Sequence, residues 1–186
     1  MRIALNRVAL FIFTCLPDAS AASCRPNIVQ LLSRDSLCLT FVAARDIKKG
    51  EELFFCYTEP QKPSAERQLV FAAYGFRCKC LSCTGRTSQS DQFRSKAYHA
   101  LHALRFAKDQ WIQRDDLLLV EKQALEKVNA FKAELLKDGM VTFSVDAVIA
   151  EIKEKVNERK GNKSEAARFR TEKERLERFG SMMYDV

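Results

Sequence analysis

Residues 74–83 read Tyr74-Gly75-Phe76-Arg77-Cys78-Lys79-Cys80-Leu81-Ser82-Cys83. Cysteines this close cannot readily pair with one another, because a disulfide restricts how two Cβ vectors meet. A turn can instead converge their thiolates on one soft metal ion, which favours zinc and a reducing compartment. The basic, polar setting of Arg77 and Lys79 stabilises thiolates and suits no apolar core. Three ligands leave a structural zinc site open, since such sites take four. The best fourth candidate is Cys24 in Ser23-Cys24-Arg25-Pro26-Asn27, where Pro26 stiffens a polar loop. The alternative is that Cys24, like Cys15, Cys38 and Cys56, is a small buried apolar residue. For Cys38 and Cys56, both within apolar stretches, that alternative is the expectation. The total of seven cysteines is odd, which argues against a complete disulfide framework within the chain.

Upstream of the cysteine run, Ser36 to Ala44 is apolar and partly β-branched, and Glu52 to Tyr57 is a second apolar stretch ended by Pro60 and Pro63. Asp46-Ile-Lys-Lys-Gly50 separates them as a turn, with Gly50 able to take a positive φ. The two stretches are expected to form a hairpin-like pair. Ser64 is placed to cap a helix over 65–74 that Gly75 can end. Gly85 to Ser90 is a polar linker.

Downstream, residues 91–186 read as helical. Phe93, Ala97, Leu101 and Leu104 share one face, and Leu117, Val120, Ala124, Val128, Phe131 and Leu135 share another. Gly139 is a stop. Val145, Val148, Ile149, Ile152 and Val156 make a third stripe with Ser144 as its cap, and Ala166, Phe169, Leu176 and Phe179 a fourth. These stripes are packing faces. His99 and His102 gather no other ligand type and read as structural or exposed. The last helix is rich in charge and reads equally as a solvated or partner-binding segment.

The first 24 residues support two readings. A basic start, the apolar run Val8–Leu16 and the small residues of Asp18 to Ala22 outline a secretory leader. A buried strand or helix fits the same run, and is favoured by the reducing environment that the zinc motif requires. Net charge is +7, of which +5 falls in residues 1–86 and +2 in residues 87–186. A basic surface could attract nucleic acid or an acidic partner, but is more often only solvated. No stretch is long and apolar enough to span a membrane.

Three motifs together resemble the SET domain of protein-lysine methyltransferases. Ser23-Cys24-Arg25-Pro26-Asn27 is similar to the end of the signature Asn-His-Ser-Cys-x-Pro-Asn. Residues 43–57, ending in Leu53-Phe-Phe-Cys-Tyr57, resemble the strand–turn–strand that delivers the SET tyrosine. Residues 74–83 resemble the start of a post-SET segment. The resemblance covers roughly residues 23–86. It implies an α+β fold: residues 1–22 an atypical apolar leader, 23–60 the C-terminal part of a β-rich SET domain, 61–86 a post-SET zinc segment, and 87–186 a helical C-terminal region. It implies Tyr57 as the catalytic residue, whose hydroxyl faces the transferred methyl and the amine, and Phe76, Ser23 and Asn27 as contacts to S-adenosylmethionine. Cys24, Cys78, Cys80 and Cys83 are the implied ligands of a structural zinc.

Departures from the family pattern weaken the enzyme reading. Ala21 and Ala22 stand where the signature has Asn and His, which contact the cofactor, and an alanine methyl makes no side-chain hydrogen bond. No Gly-x-Gly cofactor loop precedes the motifs, since the first glycine is Gly50. The sheet edge at 36–57 is therefore expected to lack partners. The expectation is a truncated gene product, a mispredicted gene start or a degenerate paralogue, incomplete as an enzyme. The alternative is a non-catalytic zinc-binding protein-interaction module, and a third reading is a secreted protein with disulfides. Expected partners are a protein lysine substrate or a partner protein, without a direct nucleic-acid motif and without a membrane, in nucleus or cytoplasm.

Overall fold

The computed structural model describes residues 8–9, 21–32, 39–85 and 87–181. Most of the apolar run that opens the chain, the small residues 18–20, Cys15 and Cys38 lie outside the described residues. The elements are β1 (Val8–Ala9), β2 (Ile28–Leu32), β3 (Leu39–Ala43), α1 (Ser64–Ala73), α2 (Leu81–Thr84), α3 (Ser88–Gln113), α4 (Leu117–Lys137), α5 (Phe143–Arg159) and α6 (Lys163–Ser181). Strands precede helices, giving a mixed α+β chain.

The chain divides into two compact units. One comprises Met1–Ser95 with Asp138–Val141, and the other Lys96–Lys137 with Thr142–Val186. In the first, the sheet order is β1-β3-β2, antiparallel throughout. β2 and β3 pair from Ile28 opposite Ala43 to Leu32 opposite Leu39, and Val8 and Ala9 lie opposite Val42 and Phe41. Ile28, Phe41 and Ala43 alternate onto one face and bury with Ile47 and Phe55.

This pairing corrects the expected hairpin. The partners of β3 are β2 and β1, so the strand at 39–43 is flanked on both sides, and the expected unpartnered edge is not present there. The stretch Glu52–Tyr57 forms no strand. It lies parallel to residues 21–28 through one bridge, Ala22 with Phe55. The backbone of Ser23 donates to Phe55 (2.9 Å), Phe55 donates to Ala21 (3.1 Å), and Asn27 and Ile28 both donate to Phe54 (3.0 and 3.1 Å). Apolar content marks both stretches as buried, but the choice of partner is a long-range matter that composition does not carry. Gly50 has φ 82° and closes the turn after Asp46 as expected.

In the second unit most positions of the expected helical stripes are buried, while Val120, Phe131, Ile149 and Phe169 are half-buried. Leu117, Ala124, Val128 and Leu135 of α4 are buried, as are Val145, Val148, Ile152 and Val156 of α5 and Ala166, Leu176 and Phe179 of α6. α5 packs on both α4 and α6. The rings of Phe143 and Phe179 meet at 5.4 Å. Each of the Val, Leu, Ile and Phe side chains among these contributes roughly 1.5–3 kcal/mol by leaving water. Two expected caps differ. α5 starts at Phe143 after Thr142, whose hydroxyl donates to Asp146 (2.8 Å), while Ser144 is buried inside the helix. At α1 the cap residue is Pro63, and Ser64 instead bonds Asp91 through both its N–H (2.9 Å) and its hydroxyl (3.1 Å). No described helix is long and apolar enough to cross a membrane.

Candidate metal centre

The sulfurs of Cys24, Cys78, Cys80 and Cys83 all lie within 4.8 Å of one another. Cys24 Sγ and Cys83 Sγ are 3.5 Å apart. Four thiolates bound at about 2.3 Å around a tetrahedral zinc stand roughly 3.8 Å from each other, so the donor set and its spacing fit a closed, structural zinc site. Local structure explains the convergence. Pro26 and Asn27 end the loop bearing Cys24, and the Cys24 backbone N–H donates to Cys80 Sγ (3.4 Å). The short helix α2 folds Cys83 back, with its N–H bonded to the Cys80 carbonyl (2.9 Å).

Helix α1 forms one wall of the site. Gln68 clamps the backbone of Cys78, donating to its carbonyl (2.9 Å) and accepting its N–H (3.2 Å). Phe71, fully buried, packs on Cys24 and Cys78. Arg67, fully buried, donates from Nε to Cys24 Sγ (3.2 Å). Arg77 and Lys79, expected to supply the positive setting, are exposed, and Arg67 is the cation that reaches the sulfurs. From α3, the buried Arg94 donates to Cys24 O (3.4 Å), Ser82 Oγ (3.0 Å), Asp138 O (2.7 Å) and Pro60 O, and its guanidinium pairs with the Asp138 carboxylate.

Crowding splits the thiols. Hydrogen bonds with Cys24 and then Cys78 draw Cys83 down to about 6. The same two partners, with Cys83, drive Cys80 lower still. Cys24 is pushed up, first by Cys56 and then by the other three cysteines and burial. A four-cysteine metal site takes all four sulfurs as thiolates. Cys56, expected to be a buried apolar residue, is half-buried.

The candidate residues for chemistry gather beside the sulfurs. Tyr57 packs against the sheet core and against the Cys24–Phe71–Cys78 core, and Phe76 packs on the latter. The Tyr57 ring lies 4.7 Å from Phe55, 5.2 Å from Tyr74 and 5.8 Å from Phe76. Phe76 in turn lies 5.2 Å from Phe71. Ser23 is buried, and its hydroxyl accepts the Arg25 N–H (3.1 Å). Asn27 is fully buried. Its Oδ1 accepts the Phe54 N–H (2.7 Å), and its Nδ2 donates to Glu52 O (2.7 Å) and Glu51 Oε1 (3.2 Å). It therefore fixes the register of the segment that carries Tyr57. His99 and His102 are exposed on α3, the latter 4.5 Å from the Tyr98 ring.

Sequence reasoning missed Arg67, Arg94, Gln68 and Asp138. The available signal was that Arg67 sits at helical spacing between Ser64 and Phe71 just before the cysteines. A charged residue in a helix ordinarily reads as solvated, so the signal is faint.

Four cysteines join a loop to a turn in an arrangement that fits a metal ion, with a tyrosine-bearing segment pinned alongside a small sheet. A family model described as the SET domain matches residues 16–58. Over that segment, under a quarter of its length, the chain resembles the SET domain. Histone-lysine N-methyltransferase ATXR2 of Arabidopsis thaliana is 36% identical over 70 residues, which cover 38% of this chain and 13% of that protein. Cys24 and Tyr57 fall inside the matched family segment, whereas Cys78, Cys80 and Cys83 follow it.

Proposed function

We propose that the four cysteines hold one structural zinc, and that the zinc serves a SET-type site in which Tyr57 faces the methyl group and the lysine amine and Phe76 closes the cofactor side. The observation that carries this reading is the shared packing of Tyr57 and Phe76 on the Cys24–Phe71–Cys78 core. S-adenosylmethionine, when bound, supplies an electrophilic methyl group. The chain's own residues would position it and hold the neutral amine in line, and catalysis of this kind rests mainly on such positioning.

The site is impaired in this chain. Ala21 and Ala22 offer no side-chain hydrogen bonds, and their backbones are engaged with Phe55. Each lost hydrogen bond to the cofactor weakens binding by about 1 kcal/mol or more. Ser23 and Asn27 are the remaining polar contacts proposed for the cofactor, and both already bond within the protein. The second reading, a non-catalytic zinc module that binds a partner protein, is favoured by the same pair of alanines. The substrate class is a protein lysine, in nucleus or cytoplasm.

Metal analysis and titration calorimetry on the full chain test the proposal. One zinc per chain with S-adenosylmethionine affinity weaker than micromolar is expected. Disulfides in place of zinc would overturn the metal reading. Micromolar binding, with methyl transfer to protein lysine that Tyr57→Phe abolishes, would overturn the impairment.

A further inference from the structure

Arg67 is a fully buried cation. Among the described residues no carboxylate pairs with it, and Asp138 is engaged by Arg94. Its negative partners are sulfurs: Nε donates to Cys24 Sγ at 3.2 Å, and one terminal nitrogen reaches Cys83 Sγ at 3.9 Å. The same terminal nitrogen donates to Ser82 O (3.3 Å), and the other donates to Lys62 O. The guanidinium is thus held by backbone carbonyls so that one edge faces two members of the metal set.

A guanidinium stays protonated in proteins, and burying one without a counter-charge is steeply unfavourable. Four thiolates around a divalent ion carry a net charge of −2. The same four sulfurs as two disulfides carry none, and would leave Arg67 buried without an opposite charge. Its place in the fold therefore makes sense only beside thiolates. N–H···S bonds draw electron density from sulfur and relieve repulsion among crowded thiolates, as groups around a metal's ligands do generally.

We propose that Arg67 is the charge partner of the metal–tetrathiolate centre, a positioning residue that sets how tightly the four cysteines retain a divalent ion. This rests on the zinc reading above. Arg77 and Lys79, although adjacent to the cysteines in sequence, are exposed and carry no such role.

The test uses the full chain loaded with zinc, and separately with cobalt as a spectroscopic probe. Arg67→Met removes the charge, Arg67→Lys keeps a charge but loses the fork, and Arg77→Met is the control. Arg67→Met is expected to release metal to a competing chelator about tenfold to a hundredfold faster than the unmodified protein. Its sulfur-to-cobalt charge-transfer band should move to longer wavelength, because sulfurs relieved of their N–H donors give up electrons more readily. Arg67→Lys, which keeps the protein folded should the Met variant fail, is expected to shift both readouts in the same sense by less. Arg77→Met should match the unmodified protein. Unchanged release and an unmoved band in a folded Arg67 variant would overturn the proposal, as would an equal effect from Arg77→Met. An unmodified chain that takes up no metal would sink the zinc reading itself, and this proposal with it.

Discussion

In the helical unit the most deeply buried large side chains are Leu117, Val128, Leu135, Val145, Ile152 and Val156, all apolar. In the sulfur-bearing unit they are Arg67, Arg94, Phe71, Asn27, Pro60 and Cys24. The first set gains stability by leaving water, and loses it by forming cavities. The second set must have every donor, acceptor and charge answered, because an unanswered buried polar group costs more than a lost apolar contact of similar size. One unit is therefore expected to be stable on its own chemistry, and the other only with its sulfurs assembled.

The sharpest way to break this contrast is to remove a ligand. Cys80→Ser is expected to abolish zinc binding and destabilise the sulfur-bearing unit by several kcal/mol, since metal-binding energy becomes folding energy. Trp111 is the chain's single tryptophan and lies in the helical unit, so its fluorescence should stay native while amide protection at residues 21–32 is lost. Loss of both signals together would show that the two units do not differ in this way. The converse change is Ile152→Ala, which empties a fully buried position on α5. It should lower helical-unit stability by about 2–5 kcal/mol in denaturant unfolding followed by Trp111, with zinc content unchanged.

Asn27→Ala sharpens the contrast within the sulfur-bearing unit. It leaves the Phe54 N–H and Glu52 carbonyl without their partner and should cost about 2 kcal/mol. Amide exchange at Phe54 and Phe55 should accelerate, and zinc should remain. The smallest effect concerns pH. Hydrogen bonding from Arg45, then from the Lys48 N–H, holds Glu51 down to about 2, well below the usual carboxylate range. In the unfolded chain the carboxyl takes its proton near pH 4.5. Between that pH and about 2 the unfolded state binds more protons, so stability present above pH 4.5 is lost as pH falls. Glu51→Gln should flatten that limb of an acid titration, by about 1 kcal/mol or less because solvent screens the pair.

The same contrast explains what the sequence could disclose. Apolar stripes at helical spacing locate α4, α5 and α6 because each stripe is local to its own helix. The cysteine run was legible for a similar reason, with three ligands in a single turn, and Cys24 was identified by its loop. The partner of Leu39–Ala43 was not legible. Both 28–32 and 52–57 are apolar enough to serve, and the choice between them depends on contacts distant in sequence. Nor were Arg67 and Arg94 legible, because nothing local distinguishes an arginine that answers buried sulfurs from one in solvent. Ser64 and Ser144 looked like caps by residue type, yet each is taken up by a different demand, one by Asp91 and the other by burial.

Asp138–Val141 belong to the sulfur-bearing unit although Lys96–Lys137 before them and Thr142 after them belong to the other. Asp138 answers Arg94 and accepts the Ser90 hydroxyl (2.7 Å), and Gly139, at φ 73°, lies so close to the Arg25 side chain that an added Cβ would overlap it. The polypeptide therefore crosses the boundary three times. A fragment ending at Ser95 would strand Arg94 without its carboxylate, and no single scission yields both halves intact. Limited proteolysis that nicks the α3–α4 connection should leave the pieces associated, and anyone dissecting this protein by truncation would mistake a missing tetrapeptide for intrinsic instability.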